Sequence, residues 1–281
     1  MGTLLKYEFR RSRMIFLGIL GISLLIEAIY LIGWFAKIDT LFGIGLIGGI
    51  LCMAFGATAI LLYGVVMFND DISKKPGYLL FSTPRNAAQI VGAKLLMTLF
   101  ALLGITVLFT LLISLDGYLA LRRTGTTIVG LLSLIDASVT ENGLKDAIFN
   151  GYNLFGLCMF LLTTVISFIF NVITAYVVIV LLKTIMGSQK GRGILGVILW
   201  FAIIYAFSTL GGLISTAFLN NIPNGEIMLS ESGISSTLLI QDFLHILFSP
   251  ALYLPILLID VVGSVAGYLL TTWMIEKKLS L

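Results

Sequence analysis

Six apolar runs, each near the length needed to cross a bilayer, constrain this chain more than any other feature of it. They fall at residues 14–36, 41–68, 94–115, 152–182, 194–219 and 250–275. A hydrocarbon core about 30 Å thick needs about 20 apolar residues in a helix. Lipid offers the backbone no water to bond with, so a segment that crosses it must close its own hydrogen bonds as a helix. Outside the runs there is too little chain to build a soluble core. Of the 281 residues, 59% are hydrophobic and only 11% are charged, where a soluble domain carries about a quarter charged. The expected fold is all-α: a membrane protein of six transmembrane helices with a short helix at the N-terminus. No internal repeat, low-complexity tract or linker divides it, so residues 1–281 are expected to form one domain.

Charge sets the expected orientation. Only Lys37, Arg122, Arg123 and Lys145 of the 17 lysines and arginines fall between spans on the side away from the N-terminus. Cytoplasmic loops hold the excess of basic residues, which predicts both termini inside and a multi-pass protein of the plasma membrane. The acids Asp39, Asp116, Asp136, Glu141, Asp146, Glu226, Glu231 and Asp242 lean outward.

The N-terminal segment, residues 1–13, carries Lys6, Arg10 and Arg13 on one helical stripe, with Leu4, Leu5 and Phe9 on other sides. That spacing suits a helix lying on anionic head groups, and equally a plain basic anchor. The run at 14–36 lacks a small-residue cleavage site, so it reads as an uncleaved signal anchor. Residues 37–40 form a tight turn, which would hold spans one and two antiparallel. The loop at 116–151 contains an apolar stretch at 128–135, and the loop at 220–249 ends in one at 238–248, too short to span. Cys52 and Cys158 sit in apolar runs and read as small packing residues. The sole histidine, His245, supplies neither a metal site nor a catalytic dyad.

The segment between spans two and three, residues 69–93, is the most informative. Asp70 and Asp71 follow the span. Pro76-Gly77 and Thr83-Pro84 punctuate the chain. Between them Tyr78, Leu79, Leu80 and Phe81 make a single exposed apolar turn. After Pro84 and Arg85 the chain can run helically from Asn86 into span three, with Lys94 at the membrane edge. A compact helix with bulky apolar side chains suits docking into a partner's groove. The same turn could instead tuck beneath the helix bundle.

With Asp70/Asp71, the segment from Leu79 to Arg85, Lys94 and the apolar segment after span five, the chain resembles the permease subunit of ABC-2-type ATP-binding-cassette transporters. The likeness covers the whole chain as architecture and about 30 residues as motif. It implies a type V exporter fold, with residues 1–13 as a cytoplasmic interfacial helix and residues 69–93 as a coupling-helix loop. In that family the coupling helix docks a separate ATPase subunit, which assigns docking to Tyr78, Leu79, Leu80, Phe81, Thr83, Pro84 and Arg85. It further implies a second permease copy or paralogue, lipid contacts, no nucleic acid, and ATP and magnesium held by the partner. No cofactor is expected in this chain, which has no GxxxxGK[ST] phosphate loop. The implied function is export of a lipophilic or amphipathic substrate, such as a peptide or antimicrobial, across a bacterial plasma membrane. The chain itself would not be an enzyme.

Polar residues inside the spans are the other candidates. Intramembrane acids are costly and default to function. Glu27 lies about halfway along span one, where it could line a substrate path or cap a polar cluster with Tyr30. Asp260 lies within about a turn of the middle of span six. Ser167, Asn171 and Thr174 share one face of span four, as helix–helix glue or as a binding site. The pattern Gly43-x-Gly45-x-x-Gly48 mimics a dinucleotide fingerprint but opens an apolar helix. Close helix packing through Gly45 and Gly49, and through Gly263 and Gly267, is the better reading. A membrane-embedded protease or acyltransferase is the main alternative function. It would need histidines and acids converging at one depth, which this sequence does not supply. A secondary transporter would need inverted repeats or helices broken in matched halves.

Overall fold

In the computed structural model, which describes residues 2–73, 87–125, 151–186, 191–220 and 250–277, all six apolar runs lie in long α-helices. These are α1 (Gly2–Phe35), α2 (Asp39–Ser73), α3 (Ala87–Thr124), α4 (Gly151–Met186), α5 (Arg192–Asn220) and α6 (Pro250–Lys277). Each contains a candidate membrane span. The chain is thus an all-α, multi-pass membrane protein with six candidate spans. The shortest helix has 28 residues and the longest 38. At 1.5 Å per residue these run about 42 to 57 Å, well beyond a hydrocarbon core of about 30 Å. The excess must project past the core or be taken up by tilt.

That excess moves several expected boundaries. No separate helix covers residues 1–13, because α1 is unbroken from Gly2 to Phe35. Between Leu4 and Leu17 there is no glycine or proline to interrupt it. The segment expected as a loop over 69–93 is helical at both ends: Asp70 and Asp71 are in the last turn of α2, and α3 is under way by Ala87. Asp116 lies within α3, not in a loop. That helix stops only at Gly125, whose φ of 66° is the left-handed conformation that ends helices and favours glycine. The apolar stretches at 128–135 and 238–248, His245 and the whole of 78–85 lie outside the described residues.

The turn after α1 closes by a six-to-one hydrogen bond, Ile38 N–H to the Gly33 carbonyl at 3.1 Å. Lys37 takes the left-handed position there, with φ 57°. The hairpin it makes brings α1 and α2 into backbone contact. A Cβ at Gly45 would sit 2.5 Å from Tyr30 Cα. Only glycine permits that approach, so the packing expected of Gly45 is present.

The residues gather into two compact units. The first draws on Met1–Thr126, Ala175–Gly187 and Leu270–Leu281, the second on Thr127–Thr174 and Ser188–Leu269. The core of the first includes Tyr30, Ile60, Phe68, Ile90 and Tyr176, all 2% exposed or less. Phe68 and Tyr176 stack with ring centroids 3.9 Å apart. In the second, Phe170 packs on Phe207 at 5.2 Å and on the bare backbone of Gly263.

Candidate functional site

The first unit gathers four charged side chains, of which Glu8, Asp71 and Lys94 are buried and Arg11 is exposed. Glu8 and Arg11 come from α1, Asp71 from the end of α2 and Lys94 from the second turn of α3. Lys94 Nζ donates to Glu8 Oε1 at 2.8 Å and also to Asp71 Oδ2. Arg11 Nη1 donates to Asp71 Oδ1 at 2.8 Å. The Lys94 and Glu8 side chains are each 3% exposed, so water screens this pairing very little. Two acids and two bases leave no net charge. Their neutrality is what makes burial tolerable, since an unpaired ion in a low-dielectric interior costs several kcal/mol, of order.

Helix register explains the clustering. Glu8 and Ser12 are one turn apart and both buried, while Lys6, Arg10 and Arg13 point outward as their stripe predicts. Glu8 Oε2 is a buried atom without a hydrogen-bond partner among the described residues. It belongs to a side chain that borders a small void of about 10 Å³, shared with Ser12, Tyr63, Thr98 and Tyr176. Close by in sequence to Asp71, the Ile72 carbonyl accepts from Lys183 of α4. A cation at that place satisfies a terminal carbonyl of α2 and complements the negative end of its dipole.

Glu27 occupies a second cluster in the same unit. It lies within interaction range of the Asp116 carboxyl on α3. Tyr30 Oη donates to the Asp116 carbonyl at 2.6 Å, and Trp34 Nε1 donates to the Leu119 carbonyl at 3.1 Å. Glu27 Oε1 and Asp116 Oδ1 are buried atoms with no partner among the described residues. The polar cluster expected around Glu27 and Tyr30 therefore exists, with Asp116 as a member the sequence did not suggest. Tyr30→Phe should lower unfolding free energy by about 1 kcal/mol, the usual net worth of one such bond. A detergent melting series would detect this, and an unchanged midpoint would mean the hydroxyl is solvated.

The second unit holds Asp260 and Asn171. Ser167 Oγ on α4 donates to Asp260 Oδ2 on α6. One turn further along α4, Asn171 Nδ2 donates to the Ser167 carbonyl at 2.7 Å, and Trp200 of α5 donates to the Asn171 carbonyl at 3.1 Å. The expected common face of Ser167 and Asn171 is thus turned toward α5 and α6. Thr163 and Ser264, a turn to either side of the Ser167–Asp260 bond, are buried with hydroxyls unpartnered among the described residues. A cavity of about 180 Å³ opens beside the seam, and its polar lining residues are Ser167, Asn171, Ser208 and Asp260. Phe170, Phe207, Ile256 and Ile259 are among its apolar lining residues.

No family model, curated protein or solved structure matches the chain. What it can do must follow from its own residues. The docking residues Tyr78, Leu79, Leu80, Phe81, Thr83, Pro84 and Arg85 lie outside the described residues. Of the intramembrane candidates, Ser167, Asn171 and Asp260 come together at one cavity, whereas Glu27 belongs to a cluster with Tyr30 and Asp116. Glu8 and Arg11 escaped sequence reasoning because they sit in a basic stretch that already had a sufficient role as an anchor. A lone acid among four nearby bases was the available signal.

Proposed function

We propose that this chain is the transmembrane permease subunit of an ATP-binding-cassette exporter of the ABC-2 type. In this reading a separate cytoplasmic ATPase docks on residues 78–85. A second permease, identical or paralogous, completes the transporter, and the cargo is lipophilic or amphipathic. Both termini and the 74–86 segment face the cytoplasm, as the basic residues favour.

The observation that carries the reading is the buried pairing of Asp71 with Lys94. These two residues flank the 74–86 segment, and through Glu8 and Arg11 both are tied to α1. A segment whose two roots are locked together passes a displacement on instead of absorbing it. Packed interiors shift between discrete arrangements and do not deform continuously. Force applied at residues 78–85 would therefore move α1, α2 and α3 as one body.

The test is co-purification with a co-expressed cassette ATPase. The double variant Leu80→Glu, Phe81→Glu should insert normally yet bind the ATPase at least about 30-fold more weakly, as expected when a buried interface anchor is lost. Retention of full affinity would remove docking from this segment. Labelling of a cysteine placed at position 80 from the outer surface would overturn the topology as well.

A further inference from the structure

We propose that the cavity between α4, α5 and α6 is a binding site for a small amphipathic organic cation, a primary amine on an aromatic or branched apolar body, with Asp260 as its counter-ion. Asp260 is 7% exposed. Among the described residues no lysine or arginine pairs with it, in contrast to Asp71, which meets two cations in the other unit. Among the described residues its one hydrogen bond comes from the neutral Ser167 hydroxyl. A carboxylate has about four acceptor positions, so one donor leaves most of its capacity unused. A charge at this depth in a membrane helix calls for a counter-charge, and the described residues do not supply one here.

The lining specifies what kind of cation fits. A primary ammonium has three donors and no acceptor. Asp260, Asn171 and Ser208, one from each of the three helices, are lining residues whose side chains carry acceptor oxygens. Phe170 and Phe207 stand beside them with ring centroids 5.2 Å apart. Aromatic faces attract an organic cation, and more so once it is desolvated. Ile256 and Ile259, on the same helix as Asp260, also line the cavity and favour an apolar body. A bare calcium ion needs about six to eight oxygen ligands, more than the side chains of Ser167, Asn171, Ser208 and Asp260 carry. The size agrees. An apolar cavity of about 150 Å³ takes up benzene, and this one has a volume of about 180 Å³.

The site stands on the chain's own residues. Only the further step, that the bound amine is cargo, rests on the export reading. Binding is therefore measured with no ATPase present, so that failure of one does not decide the other. Full-length chain in lipid nanodiscs is titrated with radiolabelled 2-phenylethylamine, and with 2-phenylethanol as a neutral probe of the same shape. Saturable amine binding is expected, with the alcohol bound more weakly. Asp260→Asn, which keeps the shape and an acceptor for Ser167, should weaken amine binding about 30-fold and leave the alcohol almost unchanged.

Gly211→Leu provides a second route should Asp260→Asn fail to fold. A Cβ at Gly211 meets only ordinary contacts, with Ile256 at 3.6 Å and Ile259 at 3.9 Å, so a larger side chain there would grow into the cavity. It should abolish saturable binding of both probes. Equal binding of amine and alcohol by the natural chain, or unchanged amine affinity in either folded variant, would overturn the assignment. So would full competition of the amine by millimolar sodium, which would make this an inorganic cation site.

Discussion

Lys94→Met is expected to lower the unfolding free energy of the detergent-solubilised chain by about 3–5 kcal/mol, the cost of orphaning a buried charge. Methionine matches the aliphatic length of lysine, so cavity formation contributes little. What is lost is the cation bonded to Glu8. Asp71 keeps Arg11, but Glu8, 3% exposed, is left with no base bonded to it among the described residues and only the field of Arg11 to oppose its charge. Adding Glu8→Gln to Lys94→Met removes that stranded charge, and most of the loss should return. This recovery separates the cost of an unpaired ion from the net worth of the pair, which desolvation keeps small. Melting curves of the natural chain, the single variants and the double variant complete the cycle. If the double variant is as unstable as Lys94→Met alone, the charges at positions 8 and 94 are not coupled and the cluster loses its role at the root of the 74–86 segment.

Gly45→Ala should destabilise the α1–α2 hairpin by about 1–3 kcal/mol, the range for overpacking a filled contact. The new methyl would stand 2.5 Å from Tyr30 Cα, 2.6 Å from its Cβ and 2.8 Å from its backbone nitrogen. Favourable carbon–carbon contact begins at about 3.5 Å. Backbone atoms cannot rotate aside as a side chain can, so the two helices must separate by roughly 1 Å. Tyr30 would shift with α1 and strain its 2.6 Å bond to the Asp116 carbonyl. Gly104→Ala is the matched control, because nothing lies within 4 Å of its Cβ position. It should be neutral, or stabilising by about 1 kcal/mol from helix propensity. Equal melting midpoints for the two variants would show that the approach of α1 to α2 is looser than described.

Much of this architecture was legible in the sequence, and the reason is local. Each apolar run must satisfy its own backbone in lipid, so the number and type of elements follow from composition and length. Gly45 announced a close approach because no other residue type allows one, and Ser167 and Asn171 had to share a face because they are four apart on a helix. Helix ends were less legible. Asp70, Asp71 and Asp116 look like loop residues by polarity, yet they prolong helices because no breaker precedes them.

Partnership was another matter. The sequence by itself determined six helices, the glycine contact on α2, and Asp260 and Glu27 as acids within spans. Only the tertiary structure decided that Lys94 meets Glu8 and Asp71, that Asp116 joins Glu27, and that Asp260 faces Ser167 across a cavity. A helix apolar on every side has no polar stripe to fix its rotation. Its facing residues are set by van der Waals fit and by bonds to neighbours far away in the chain. Those partners are 86, 93 and 23 residues apart, separations over which hydropathy and spacing carry no information.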